Sequence, residues 1–250
     1  MNPNIAIAIL LITFVLLIMI KCPITFSMII STAFTMLYIQ VPVMTLVQQM
    51  SKQLNSFSLL AIPFFILMGE IMAAGGISSR LLAFANVCVG QITGGLAHVN
   101  VLASMLFGGI SGSAIADVSS LGALEIPMME EAGYEKDFSI AVTVASSCQG
   151  LIIPPSHNMV LYSMVAGGVS VGSLFCAGYI PGIMLGVFIM GMCYIISKKK
   201  HYPKGKKLPF KEALRVTKDT FFAMLAMVII IGGVSAGFFT ATESAAVARI

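Results

Sequence analysis

The sequence predicts an all-α polytopic membrane protein whose apolar helices are interrupted at membrane depth, and three observations carry that prediction. First, 58% of the 250 residues are hydrophobic against 10% charged, and the mean hydropathy is +0.99. A water-soluble fold has no interior large enough to hide that share of apolar surface. Second, the apolar runs have helix length and lack the period-two alternation of strands. Third, residues 108–122 lie in the middle of an apolar stretch yet carry four glycines, four serines and Asp117. Broken polar backbone at that depth is tolerated where protein or water satisfies it, around a cavity or an ion.

Taken in order, Ile5–Ile20 and Ile24–Val41 are two spans separated by the basic break Lys21-Cys22-Pro23 and closed by Pro42. No basic side chain precedes the first and no small-x-small site follows Ile20, so it is expected to stay as a span and not to be removed as a signal peptide. From Val43 to Asn55, Val43, Leu46, Val47, Met50 and Leu54 fall at helical spacing, with Gln48, Gln49, Lys52 and Gln53 opposite. That is the pattern of an arm helix lying in the interface. Phe57–Ala74 is a third span, expected to kink at Pro63 and to stop at Gly75-Gly76. Glu70, near its end, belongs at the cytoplasmic interface or beside a partner. Ile77–Gln91 is again amphipathic.

Gly94-Gly95 opens a re-entrant hairpin over 94–127. Its first leg, Leu96–Ile110, would reach roughly 22 Å as helix, against a bilayer core about 30 Å thick. The second leg, Ala114–Ile126, is shorter still, so the pair enters and leaves on one side. After Pro127 comes a wet loop with Glu130, Glu131, Glu135 and Asp137. Residues 138–168 form a broken helix, because Pro154-Pro155 removes two donors and disfavours helix before it. Residues 169–208 hold the span Val171–Ser197 and a basic linker, and 209–250 an arm helix, Pro209–Thr220, and a span, Phe221–Phe239. Seven of the 14 Lys and Arg residues lie between Lys198 and Lys211. By the positive-inside rule the linker is cytoplasmic; counting back, so are the acidic loop, the hairpin mouth and Lys21, and the N-terminus is outside. The basic cluster is thus a topological marker, and no nucleic-acid partner is expected.

The chemistry sits at the two interruptions. At the hairpin tip, the hydroxyls of Ser111 and Ser113 and the carbonyls freed around Gly112 are hard oxygen donors suited to a bare alkali cation, with helix ends adding partial charge. The alternative is a Gly/Ser face for helix packing. Ile153–Asn158 is the counterpart, offering carbonyls, Ser156 Oγ and the Asn158 amide; the alternative is a plain proline kink. Asp117 carries ion or gating charge, or caps the returning leg. His157 contacts an anionic substrate or hydrogen-bonds within the break. Ser113, Asp117, His157 and Asn158 are the candidate substrate-binding residues. His98 is read as structural, and the five cysteines, which form no C-x-x-C pair, as small packing residues. Gly178, Gly182 and Gly186 form a G-x-x-x-G stripe for helix assembly. A rival class is an intramembrane serine protease of rhomboid type: Gly109-Ile110-Ser111-Gly112 fits G-x-S-G, with His98 or His157 as base.

Four stretches together resemble the large membrane subunit of the tripartite ATP-independent periplasmic (TRAP) transporters. They are Phe64-Phe65-Ile66-Leu67-Met68-Gly69-Glu70, Phe107-Gly108-Gly109-Ile110-Ser111-Gly112-Ser113-Ala114 with Asp117, Ile152-Ile153-Pro154-Pro155-Ser156, and Phe239-Thr240-Ala241-Thr242-Glu243-Ser244-Ala245-Ala246. The resemblance covers nearly the whole chain. It implies an ion-transporter-like inverted-repeat elevator fold, with 1–93 as scaffold-type spans and arms and 94–168 as the transport-type region. It implies a permease, not an enzyme, in the bacterial inner membrane, importing a small organic anion, a carboxylate or sugar acid, driven by Na+. One sodium site would lie at Ser111, Gly112 and Ser113 against Ile153, Pro154 and Ser156. A periplasmic substrate-binding protein and a small four-helix membrane subunit would be partners. The family's second repeat carries its own hairpin, and 209–250 would be its beginning, as expected of a C-terminally truncated chain. His157-Asn158 follows Pro-Pro-Ser where many relatives carry an apolar residue first, which leaves the substrate open.

Overall fold

The computed structural model describes residues 2–55, 57–167, 169–205, 209–235, 238–240 and 243, and the named elements among them are helices. The chain divides into two compact units, Met1–Ser56 and Phe57–Ile250.

In the first unit, α1 (Pro3–Met19) carries Pro3 in its first turn, where a missing N–H costs nothing. Lys21, at φ 63°, turns the chain into α2 (Ile24–Tyr38), which packs on α1. The hydroxyls of Thr13, Ser27, Ser31, Thr32 and Thr35 all donate to carbonyls of the preceding turn. Lipid offers them no partner, so the helix supplies its own. α3 (Met44–Leu54) is the expected separate amphipathic helix, with Lys52 in its last turn. At 17 and 15 residues, α1 and α2 are short for bilayer-crossing helices.

In the second unit a 3-10 turn, Phe57–Leu60, leads into α4 (Ala61–Ala74). Pro63 falls in the first turn of α4, just past the change from 3-10 to α-helix, where the donor it lacks has no intrahelical partner. The helix stops at Gly75-Gly76 as expected, with Gly76 at φ 74° before α5 (Ile77–Val89).

The hairpin is α6 (Gly95–Ser111), α7 (Ala114–Ser120) and α8 (Gly122–Glu131). It corrects the sequence reading twice. The returning leg breaks again at Leu121, and it runs past Pro127 to Glu131, so the wet loop shrinks to Ala132–Glu135. At the mouth, Ala97 and Val101 of α6 pack with Met129 of α8, Tyr134 and Tyr202, so both legs enter from one end. The broken helix comprises α9 (Lys136–Ser147), α10 (Gln149–Ile152) and α11 (His157–Val165), bent by 49°. The Pro154–Pro155 peptide within the break is cis. α12 (Val171–Lys199) is, among the described residues, the one helix long and apolar enough to cross a bilayer alone; the bent pairs α4–α5 and α9/α10–α11 have the length and composition of a broken span or a re-entrant loop. α13 (Phe210–Ser235) is a single helix where an arm and a separate span are predicted. No glycine or proline falls between 210 and 231 to part them. Beyond it, Glu243 Oε2 accepts from the Thr240 N–H and hydroxyl at 2.8 and 2.9 Å, while the Glu243 N–H donates to Thr240 Oγ1 at 3.2 Å. That is a reciprocal capping box.

The rings of Tyr134, Phe138 and Tyr202 cluster at the mouth, with centroids 4.4 to 6.3 Å apart. Tyr202 Oη accepts from the Glu135 N–H at 3.3 Å, Lys200 pairs with Glu135, and the Gly94 N–H donates to Pro203 O at 3.2 Å. The hairpin mouth, acidic loop and basic linker therefore share one end of this unit, the grouping that helix parity requires. The five cysteines are free, in keeping with the lack of a C-x-x-C pair, and Cys193 is the buried one. Cys88, Cys148 and Cys176 are exposed because the outer surface of this unit is itself apolar.

Candidate functional site

A buried polar seam holds the hairpin against the broken helix. Asn100 Nδ2 donates to Thr143 Oγ1 at 2.7 Å, and Asn100 Oδ1 accepts from Ser146 Oγ at 2.8 Å. Ser104 and Ser146 share a hydrogen bond at 3.1 Å, and Thr143 Oγ1 donates back to Ser139 O at 2.8 Å. Leucine at 100 would remove two buried hydrogen bonds from hydroxyls that keep their bonds to Ser139 O and Thr143 O, at about 0.5–1.5 kcal/mol each. Asn100→Leu is therefore expected to lower the thermal midpoint of the purified chain; a midpoint unchanged in Asn100→Leu would show the seam is not structural.

Closer to the tip the two elements touch backbone to backbone. A Cβ on Gly108 would lie 2.5 Å from Gly150 Cα, and one on Gly150 3.0 Å from Gly108 Cα. α12 seats the broken segment from the other side. A Cβ on Gly178 would meet Ile152 O at 2.4 Å, on Gly182 Ile153 Cγ1 at 2.5 Å, and on Gly186 Met105 Sδ at 2.6 Å and Gln149 Oε1 at 2.7 Å. The stripe read as an assembly motif thus packs within the chain, and it holds the break in place.

At the tip, Gly112 sits at φ 61° and closes α6, while Ser113 is extended and caps α7, its Oγ accepting from the Ala116 N–H at 3.3 Å. Ser111 Oγ lies between them, accepting from the Ser113 N–H at 3.3 Å and donating to Ser113 O at 3.4 Å. A Cβ on Gly112 would meet Pro155 O at 3.0 Å, Ser156 Cα at 3.1 Å and His157 N at 3.2 Å. The tip and the Pro-Pro break, distant in sequence, are thus in direct contact. Ser156 is fully buried and donates to Leu151 O at 2.9 Å. Ile153 is buried and Pro154 with it. α6 and α10 both end here, so carbonyls without intrahelical partners gather, together with three serine hydroxyls. Among the described residues no group of three His, Cys, Asp or Glu side chains converges. The donors at this point are hard, neutral oxygens, which fit an alkali cation.

Beside the tip opens a cavity of about 520 Å³, walled by Ile66, Gly69 and Glu70 of α4, Phe107 and Ser111 of α6, Ser113 at the tip, Ile115, Ala116, Ser119 and Ser120 of α7, and His157. Of the four predicted substrate residues, Ser113 and His157 line it. Asp117 does not: it is 1% exposed, no hydrogen bond of ordinary geometry reaches either carboxyl oxygen, and Ser104 of α6 is the hydroxyl that approaches it. One turn past the tip, the helix has rotated it into the protein. Asn158 is exposed and also off the cavity wall. Glu70, read at the cytoplasmic interface or beside a partner, lines the cavity beside the tip. A Cβ on Gly69 would lie 3.2 Å from Ser111 Cα, which fixes α4 against the hairpin. Neither residue carries a local signal of this place; only the packing of α4 reveals it. Ser111 engages the Ser113 backbone and no imidazole among the described residues, and His98 is buried in the first turn of α6, at the far end from Ser111. A serine–histidine pair does not form there.

The profile of the tripartite ATP-independent periplasmic transporter DctM component matches residues 11–250. The chain is 44% identical over 229 residues to the sialic acid TRAP transporter large permease protein SiaM of Vibrio cholerae, covering 91% of this chain and 53% of that protein. It is 44% identical over 194 residues to the C4-dicarboxylate TRAP transporter large permease protein DctM of Pseudomonas aeruginosa, covering 78% and 45%. It is 37% identical over 227 residues to the 2,3-diketo-L-gulonate TRAP transporter large permease protein YiaN of Escherichia coli, covering 90% and 53%. The chain spans about half the length of the curated relatives it matches.

Proposed function

The chain belongs to the DctM-component family of tripartite ATP-independent periplasmic transporters, and from that premise we propose that it acts in sodium-driven import of a small organic anion across the bacterial inner membrane. The family is one of transport permeases, and the protease reading falls away with it. The observation that carries the proposal is the contact of Gly112 with Pro155, Ser156 and His157. It brings the hairpin tip against the Pro-Pro break, and there Ser111, Gly112, Ser113, Ile153, Pro154 and Ser156 would hold the sodium ion through hydroxyl and carbonyl oxygens. A cation there balances the partial negative ends of α6 and α10, while His157 and Ser113 on the cavity wall, beside the N-terminal end of α11, suit a carboxylate.

The relatives named for sialic acid, C4-dicarboxylates and 2,3-diketo-L-gulonate share a carboxylate, which supports that substrate class here. A periplasmic binding protein would deliver the anion and a small four-helix subunit would complete the membrane assembly. The N-terminus would be periplasmic and the linker around Lys198–Lys200 cytoplasmic. Movement would be of elevator type, with the hairpin and broken helix sliding as one body. The glycine crossings at Gly108–Gly150 and along α12 support that unity. Energetics call for more than one ion. Sodium entering down 100 mV gains about 2.3 kcal/mol, and a tenfold gradient adds about 1.4 kcal/mol. A dianion moving inward costs about 4.6 kcal/mol before any accumulation.

The test is equilibrium binding of ²²Na⁺ to the purified chain. Saturable binding is expected, lost in Ser111→Ala/Ser113→Ala and unchanged in Ser79→Ala, a hydroxyl that only caps its own helix turn. Equal binding in the double variant and the parent would remove the tip as the sodium site.

A further inference from the structure

The cavity beside the tip has one feature that a carboxylate-binding pocket does not need. Among its described lining residues the one acidic side chain is Glu70, and it is exposed and joins no ion pair among the described residues. Around it stand the hydroxyls of Ser111, Ser113, Ser119 and Ser120. Gly69 holds the α4 backbone against Ser111, with 3.2 Å from its ideal Cβ to Ser111 Cα, so Glu70 is fixed beside the tip and not on a free helix end. A water occupies about 30 Å³ of liquid, so 520 Å³ has room for a cation with its hydration shell. Ser111 belongs both to this wall and to the tip, so the cavity abuts the oxygen cluster behind it.

We propose that this cavity is a cation vestibule: Glu70 draws a hydrated monovalent cation to the hydroxyl-lined space ahead of the hairpin tip, before the anion that Ser113 and His157 would receive on the same wall. The inference rests on the reading of the tip as a sodium site and adds to it a residue on a different helix. A carboxylate on a low-dielectric wall raises the local concentration of counter-ions and the rate at which they arrive. Its reach in open solution is about a Debye length, roughly 8–10 Å near physiological salt, so the effect fades as inert salt is added. Glu70 would act on the rate of cation arrival more than on final coordination, which the tip supplies.

Charged thiol reagents read the field directly. The native cysteines, Cys22, Cys88, Cys148, Cys176 and Cys193, are replaced by alanine, and Ser119→Cys is introduced on the cavity wall, with Ile115→Cys, a position 81% exposed, as a second reporter should the first fold poorly. The chain in nanodiscs is labelled with trimethylammonium-ethyl and sulfonato-ethyl methanethiosulfonate, each rate normalised to free cysteine. The cationic reagent is expected to be favoured by about fivefold at low salt. The preference should collapse in Glu70→Gln, persist in Glu70→Asp and shrink with added choline chloride. In parallel, ²²Na⁺ association is expected to slow by about the same factor in Glu70→Gln. A labelling ratio indifferent to Glu70→Gln overturns the vestibule, even if Ser111→Ala/Ser113→Ala abolishes sodium binding. If the serine variant leaves sodium binding intact while Glu70 governs the ratio, the vestibule stands and the tip site falls.

Discussion

Gly112→Ala is expected to weaken sodium binding by about tenfold or more. Two causes add. The residue sits at φ 61°, where a side chain costs about 1–2 kcal/mol, and its Cβ would be 3.0 Å from Pro155 O, 3.1 Å from Ser156 Cα and 3.2 Å from His157 N. Those neighbours are backbone, so they yield by moving the break away from the tip, and the oxygens on the two sides no longer meet at one point. Gly133 separates the causes: it has φ 89° with nothing within 4 Å of an added Cβ. Gly133→Ala should lower stability by a similar backbone strain and leave sodium affinity where it was. Equal affinity loss in both variants would mean that strain, and not the contact between tip and break, governs binding.

The second large effect is expected at the glycine crossing behind the tip. Gly108→Ala puts a methyl group 2.5 Å from Gly150 Cα and 2.9 Å from Gly150 N. Neither atom belongs to a side chain that can rotate away, so α6 and α10 must part, and every contact along them loosens. Overpacking of this kind costs about 3 kcal/mol, which for a domain of this size lowers the melting temperature by roughly 6–12 °C. Gly191 in α12, with nothing within 4 Å, is the control; alanine there should be neutral or stabilise by about 0.5–1 kcal/mol. Matching melting curves for the two alanine variants would show that α6 and α10 are not in backbone contact. Because the crossing keeps hairpin and broken helix in one body, Gly108→Ala should also depress sodium binding, whereas Gly191→Ala should not.

The two interruptions were legible because each is written locally. Gly112 between two serines is a left-handed cap followed by an N-cap, and consecutive prolines at 154 and 155 remove the donors a helix needs. The apolar legs and arms followed from periodicity. The second break at Leu121 was not legible, since Ser119, Ser120 and Leu121 carry no strong breaker of their own. The helix through Pro127 was misread because a proline in a helix interior usually stops it, and here α8 is held by packing against α6 and α9. The join of arm and span in α13 was missed although 210–231 holds no breaker; a change in polarity along a helix is not a change in its backbone.

By itself, the amino-acid order determined the class of the protein, the family it belongs to, and the two places where its helices break. Those depend on composition, on covalent limits of glycine and proline, and on short contiguous motifs. What only the tertiary structure decided is which groups face which. Asp117 turned inward towards Ser104, Glu70 was brought to the cavity from another helix, and the α12 glycines closed on the broken segment of their own chain. The physical reason is that a helix fixes the spacing of its side chains but not the neighbour each one meets. That neighbour is chosen when backbones approach within van der Waals distance, and here the approach is set by glycine pairs far apart in the chain, such as Gly108 and Gly150.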